Sequence, residues 1–168
     1  MEIRGKRFSV VACAVALSLL AAACGGGKSY KAGTPAATGK APDCSVAPAD
    51  LVTQSLKRDV TGPVAESRPD GFTCTYPRPA GGGGGAADQV QLNGGVDNLD
   101  IFKNGMKAAN NPVKTIKGWG DQAYAWTVYF YSNINNFAVR KGKVSVVIIS
   151  TAGYDEIKKL MKAILAKV

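Results

Sequence analysis

Four cysteines and the complete absence of histidine decide which chemistry this 168-residue chain can carry. Histidine is the commonest general base and metal ligand near neutral pH, so its absence removes Ser-His-Asp and Cys-His nucleophiles. Carboxylates remain, but the adjacent pair Asp155 and Glu156 begins a helical pattern, where acidic side chains stabilise the first turn. We therefore expect no enzymatic activity, no cofactor and no metal site, and the cysteines become the residues to explain.

Cys24 closes a segment with the pattern of an export signal. Three basic side chains precede an apolar run, 8–23, of about 16 residues, which is shorter than the roughly 20 that span a bilayer. The run ends in Leu-Ala-Ala-Ala before Cys24, and three glycines follow it. This arrangement resembles the lipobox of bacterial lipoproteins, in which a peptidase cuts before the cysteine and the thiol carries a diacylglyceryl group. A permanent membrane helix and an ordinary cleaved signal peptide are the alternatives.

Cys44 and Cys74 are the remaining pair, because Cys13 leaves with the signal and Cys24 carries lipid. An exported protein folds in a compartment that permits oxidation, so we predict a disulfide between them. The bridge would close a loop of about 30 residues and stabilise the fold by up to roughly 3.5 kcal/mol. Two separate buried thiols are the alternative.

The chain divides into three predicted parts. Residues 1–23 form the signal peptide, 24–43 a lipidated flexible tether, and 44–168 a single globular domain. The tether consists mainly of Gly, Ala, Pro, Thr and Lys, without apolar periodicity. Its r.m.s. span is roughly 25 Å, which would hold a folded domain just off a membrane surface.

Patterns within 44–168 predict an α+β fold: a twisted antiparallel sheet of about five or six strands, packed by an N-terminal, a middle and a C-terminal helix. The first helix starts near Pro48, and Asp97 or Asn98 can cap the second. Alternation or apolar runs between turn residues place the strands. The predicted strands are 72–76, one around 90–92, 113–116, 122–131 and a hairpin across 136–150. The run 144–149 is apolar at nearly every position, which is typical of a central strand covered on both faces.

The C-terminal helix has the clearest pattern. Its apolar residues recur at helical spacing, and its lysines lie off that stripe. The stripe contains Ile157, Leu160, Met161, Ile164, Leu165 and Val168. A basic amphipathic helix can also lie on a membrane, but here we expect the stripe to cover the sheet, with Lys158, Lys159 and Lys162 exposed.

The stretch 118–124, Gly-Trp-Gly-Asp-Gln-Ala-Tyr, is the most distinctive in the domain. Two glycines around a tryptophan permit a tight turn with positive φ, and Asp121 can bond to nearby backbone N–H groups. The following strand places Tyr124 and Trp126 on one face, and Tyr129 and Tyr131 on the other. One aromatic face is core and the other is a candidate contact surface. The candidate binding surface comprises Trp119, Asp121, Tyr124 and Trp126, and a structural turn at 118–121 is the alternative.

Several of these features together resemble an actinobacterial lipoprotein family of unknown function. That family is similar to the extracellular sensor domains of some mycobacterial serine/threonine kinases. The resemblance covers about 44–168 and implies an α+β domain with a twisted antiparallel sheet and a Cys44–Cys74 bridge. It carries over no catalytic residues, because the family has no agreed activity. The shared features are Cys44 followed by Pro48-Ala49-Asp50-Leu51, the Cys74-Thr75-Tyr76 strand, the 118–124 stretch and the C-terminal amphipathic helix.

Charge narrows the partners. Without residues 1–23, the chain has 18 Lys and Arg against 11 Asp and Glu, a formal charge of +7. Such a surface suits anionic lipid headgroups or wall polymers. Nucleic acid is not an expected partner of an exported protein that lacks an aromatic-plus-basic RNA motif.

The sequence thus predicts a lipoprotein held to the cell membrane through Cys24 on its extracytoplasmic face. Its domain would be a non-enzymatic, sensor-like or binding module for an envelope component or a cell-wall or envelope partner protein. The alternative is a carrier or chaperone of an apolar ligand such as a lipid. A third hypothesis is a glycosidase whose catalytic groups are carboxylates alone, and it would need two inward carboxylates in a cleft.

Cys24→Ala should release the protein from membranes or stall its processing, because the acyl acceptor is gone and acyl chains supply most of the anchoring free energy. Membrane fractionation and intact-mass measurement check this. Cys13→Ala, inside the apolar run, is the matched control and should behave like the parent. A Cys24→Ala protein that matures normally and stays with membranes would contradict the lipobox interpretation.

Overall fold

A computed structural model describes residues 41–80, 87–94 and 98–168, which form an α+β domain. A single 3₁₀ turn, Cys44–Val46, precedes the first helix. The helices are α1 (Ala49–Leu56), α2 (Asn98–Ala108) and α3 (Tyr154–Leu165). The strands are β1 (Val64–Arg68), β2 (Gly71–Tyr76), β3 (Asp88–Gly94), β4 (Lys114–Thr115), β5 (Gln122–Phe130), β6 (Ser132–Lys141) and β7 (Val144–Ser150).

The described strands form one open antiparallel sheet in the order β1-β2-β3-β7-β6-β5-β4. The prediction of five or six strands was wrong, because the sheet has seven. The missed strand is β1, an edge strand whose five residues are all exposed. A strand with no buried face needs no apolar alternation, so its sequence carried no signal. The apolar run 144–149 lies in β7, which is the central strand as predicted.

One face of the sheet carries the main core. On this apolar face, a row of apolar side chains crosses the five neighbouring strands β2, β3, β7, β6 and β5. Each residue of the row is the cross-strand partner of the next: Cys74, Val90, Ile148, Phe137 and Ala125. Helices α1 and α3 pack against each other and cover the row. The α3 stripe is fully buried at Ile157, Leu160, Met161 and Ile164, which confirms that α3 covers the sheet.

The opposite face is covered by α2, which packs on β5 and β6. Leu99 of α2 lies on Tyr124, Trp126, Ala138 and Val147 in a second, smaller apolar cluster. Because β6 and β7 contribute alternate residues to both clusters, these strands are buried on both faces, which explains why β7 is apolar throughout.

The predicted disulfide is confirmed: Cys44 and Cys74 are bonded, with their Cα atoms 5.7 Å apart. The bridge joins the 3₁₀ turn before α1 to strand β2. Next to it, the buried Tyr76 hydroxyl donates a hydrogen bond to the carbonyl of Ala47. Burial raises the pKa of Tyr76, so this hydroxyl stays protonated and keeps its bond at any physiological pH. The two contacts fix where the chain enters α1.

Helices α1 and α3 together are narrower than the seven-stranded sheet on which they pack. Seven strands span about 29 Å between the outer two, whereas two helices packed side by side cover about 20 Å. Helix α3 lies over β6 and β7, near the middle of the sheet. Both edges therefore extend beyond the helices: β1 at one side, and β4 with part of β5 at the other.

Some sequence predictions lie outside the described residues: Cys24, the signal peptide, most of the tether and the cap residue Asp97. None of the helices in the described part of the chain has the length and apolar character that crossing a membrane requires.

Candidate functional site

The four residues of the predicted binding surface lie in two separate places. Tyr124 and Trp126 are 6% and 4% exposed and pack beneath α2. The Tyr124 hydroxyl donates to Asp100 Oδ1 at 3.0 Å, and Lys103 Nζ lies 4.8 Å from the centre of the Tyr124 ring. These contacts join α2 to β5. On this face the aromatic pair belongs to the smaller apolar cluster.

Asp121 holds a turn in place. Its Oδ2 accepts from the N–H of Gly142 at 2.8 Å, and its own N–H donates to the carbonyl of Arg140 at 2.8 Å. The preceding Gly120 has φ +52°, and a Cβ there would lie 2.2 Å from that same carbonyl oxygen. Only glycine fits this close approach, which favours the structural-turn interpretation of 118–121.

Trp119 lies on the opposite face of the sheet from Tyr124 and Trp126. Its ring meets the buried Phe137 edge-on, with centroids 5.1 Å apart and an interplanar angle of 85°. It borders a shallow concavity of about 460 Å³ at the C-terminal end of α3, which also includes Lys162 and Leu165. The neighbouring Lys141 donates to the carbonyls of Leu165 and Val168, so this region caps α3.

The more enclosed concavity is a groove of about 300 Å³ on the uncovered edge of the apolar face. Its floor is apolar, formed by Ile116, Ala125 and Phe137. The groove lies beside α3, which packs on β6 and β7, and it is bordered by residues of β4 and β5. The full lining is Pro112, Lys114, Ile116, Ala125, Trp126, Thr127, Tyr129, Phe137, Tyr154 and Lys158.

Hydroxyl groups close one end of the groove. The Thr127 hydroxyl donates to Asn135 Oδ1 at 2.8 Å, and the Tyr154 hydroxyl lies 3.2 Å from Thr127 Oγ1. Since Thr127 has used its only hydrogen, Tyr154 is the donor in the second bond. Burial raises the pKa of Tyr154, so the hydroxyl remains protonated there at neutral pH. Both hydroxyl hydrogens are therefore already engaged.

Two lysines supply the positive charge of the groove. Lys114 continues the apolar row as the β4 partner of Ala125 and is exposed. Lys158 comes from the second turn of α3. It was predicted to be exposed, and its side chain is 40% exposed, with the remainder packed against the groove. Lys158 Nζ lies 3.7 Å from the well-exposed Asp155 carboxylate, a surface pair of low strength.

Asp88, at the start of β3, has a buried carboxylate that two arginines neutralise. It accepts a hydrogen bond from the Ser150 hydroxyl at 2.5 Å. Arg58 Nη1 lies 3.5 Å from Oδ1, and Arg78 Nε lies 3.8 Å from Oδ2. Both guanidinium groups also donate to the Thr151 hydroxyl, at 2.9 and 2.7 Å. Because Arg58 follows α1, Arg78 follows β2, Asp88 begins β3 and Thr151 follows β7, the cluster joins four chain segments just before α3.

The lining residues Lys114, Thr127, Tyr154 and Lys158 were not predicted as site residues. They come from β4, β5 and α3, and nothing in their local sequence indicates a shared site. The sequence feature that could have indicated part of this lining is the alternation of β5, which places Ala125, Thr127 and Tyr129 on one face of the strand. Among the described residues, no group of three or more Cys, Asp or Glu side chains is arranged to hold a metal ion.

Comparison of the chain with protein-family models, with curated protein sequences and with solved structures found no match.

Asp88→Asn should lower the free energy of unfolding by about 2–4 kcal/mol, because it leaves two part-buried arginines facing a neutral amide. Denaturant unfolding monitored by circular dichroism measures the change. Asp155→Asn is the matched control, since it removes a carboxylate from an exposed ion pair and should change stability little. Equal effects of the two substitutions would show that the Asp88 cluster does not hold these segments.

Proposed function

We propose that the protein is a lipid-anchored, extracytoplasmic and non-enzymatic binding domain, and that it binds an amphiphilic component of the cell envelope in the groove between β4–β5 and α3. The observation that carries this proposal is the groove itself: an apolar floor formed by Ile116, Ala125 and Phe137, open along one side and rimmed by two lysines. The predicted anchor at Cys24 would hold the groove close to the membrane.

The size of the groove favours a binding module over a carrier of whole lipids. A volume of about 300 Å³ lies at the low end of the roughly 300–1,000 Å³ typical of small-molecule sites. The core beneath α3 is closed, because the four stripe residues Ile157, Leu160, Met161 and Ile164 are fully buried. A ligand would place one apolar group in the groove and leave its remainder outside, which suits recognition at a surface better than transport of a complete lipid.

Exposed aromatic side chains near the groove support contact with the envelope. Tyr129 lines the groove and is 77% exposed, and Tyr131 at the tip of the β5–β6 hairpin is fully exposed. Tyrosine combines an apolar ring with a polar end, a combination enriched at membrane and protein interfaces. The tip would therefore meet the same surface from which a ligand enters.

The chemistry of the lining supports binding without catalysis. Its described side chains include no carboxylate, and the hydroxyls of Thr127 and Tyr154 are held in hydrogen bonds. A general base or a nucleophile would need a partner that activates it, and the described lining supplies none. This arrangement can hold and orient a molecule.

Protein purified from its own membranes should carry a copurified amphiphile that mass spectrometry detects. Ala125→Met places a larger side chain in the groove and should lower the bound amount about tenfold, since a loss of about 1.4 kcal/mol suffices for that factor. Thr115→Met, on exposed β4 outside the groove lining, is the matched control and should retain the molecule.

Thermal unfolding of each variant shows whether it is folded, and Ile116→Phe is a second groove-narrowing substitution if Ala125→Met is unstable. No copurified molecule, or equal loading of the parent and the folded groove variants, would overturn the proposal.

A further inference from the structure

The charged side chains in the described lining of the groove are both lysines. Lys114 stands at the end of the apolar row on β4, and Lys158 faces the groove from α3. No Asp or Glu is found among the described lining residues. In the part of the chain that the structure describes, Lys158 pairs with Asp155, whose side chain is 88% exposed.

We propose that the groove selects a single-chain anionic amphiphile, whose apolar tail lies along Ile116 and over Ala125 while its anionic head is held between Lys114 and Lys158. This inference rests on the proposed function, and it adds the chemical class of the ligand.

The lysines are the charged groups in the described lining that can recognise an anionic head. The Tyr154 hydroxyl donates to Thr127, and the Thr127 hydroxyl donates to Asn135. Lysine has three N–H donors on a flexible side chain. The ion pair of Lys158 with Asp155 involves a well-exposed carboxylate. An anionic head on the half-buried side of Lys158 is shielded from water and competes well with that exposed pair.

The apolar part of the groove sets the size of the tail. A cavity of about 150 Å³ holds one benzene ring, so a groove of about 300 Å³ accommodates about two rings or a medium-length acyl chain. Decanoate and 1-decanol therefore make a pair of probes with equal chain lengths, one with an anionic carboxylate head and one with a neutral hydroxyl head.

Isothermal titration calorimetry on the full chain carrying Cys24→Ala, which lacks the acyl acceptor, tests the inference. Decanoate should bind about tenfold more tightly than 1-decanol. The double substitution Lys114→Gln and Lys158→Gln should lower decanoate affinity about tenfold and leave 1-decanol affinity within about twofold. The double substitution Lys117→Gln and Lys159→Gln, two exposed lysines outside the groove, is the matched control and should leave both affinities unchanged.

Equal affinities for decanoate and 1-decanol, or equal effects of the two double substitutions, would overturn the assignment of an anionic ligand and leave the groove as a binding site. Absence of decanoate binding to the parent would overturn it as well. Decanoate binding that Ala125→Met does not weaken would instead count against the proposed function, because the ligand would then lie elsewhere.

Discussion

The coverage of a wide sheet by two helices is the constraint from which the groove follows. An antiparallel sheet of seven strands is about 29 Å across, and α1 with α3 covers about 20 Å of that width. At the β1 edge, the part of the sheet beyond the helices is a short strand whose five residues are all exposed. At the β4–β5 edge the apolar row continues past α3, and the uncovered part is bordered by lysines and hydroxyls. Because the helices do not reach either edge, the sheet has an exposed strand at the β1 edge and a groove at the β4–β5 edge.

The groove has a fixed shape only if α3 keeps its position on the sheet. Buried contacts before α1 and before α3 hold α3 in that position. The Cys44–Cys74 bridge and the Tyr76 hydrogen bond hold the segment before α1, and α1 packs along α3. The Asp88 cluster fastens the turn from β7 into α3, directly before Tyr154 enters the groove. A preorganised site of this kind does not need to be ordered by its ligand, which favours affinity.

Periodicity and residue type predicted the parts of the fold that are decided locally. The α3 stripe, the apolar β7 strand and the Cys44–Cys74 pair were predicted because each needs only spacing or elimination. Strand β1 could not be predicted in the same way, because a strand exposed on both faces has no alternating pattern. Alternation in β5 separated Tyr124 and Trp126 from Tyr129 and Tyr131, but it could not show that α2 buries the first pair.

The groove and the Asp88 cluster depend on contacts between distant parts of the chain. Ser150 lies 62 positions from Asp88, and Thr151 lies 93 from Arg58. The position of Lys158 follows from how far α3 reaches across the sheet, which a helical period does not specify. Sequence reasoning therefore predicted an exposed lysine at a position that the packing makes half-buried. Lipidation of Cys24 and the resemblance to sensor domains remain predictions of the sequence.

Contacts between a bound amphiphile and the groove floor test the central claim most directly. Isotope-filtered nuclear Overhauser spectra of the labelled protein with unlabelled decanoate measure which protein protons lie close to the acyl chain. The account predicts contacts from the chain to the Ile116 side chain and the Ala125 methyl group. Contacts confined to Trp119 and Leu165, in the shallow concavity at the end of α3, would contradict it.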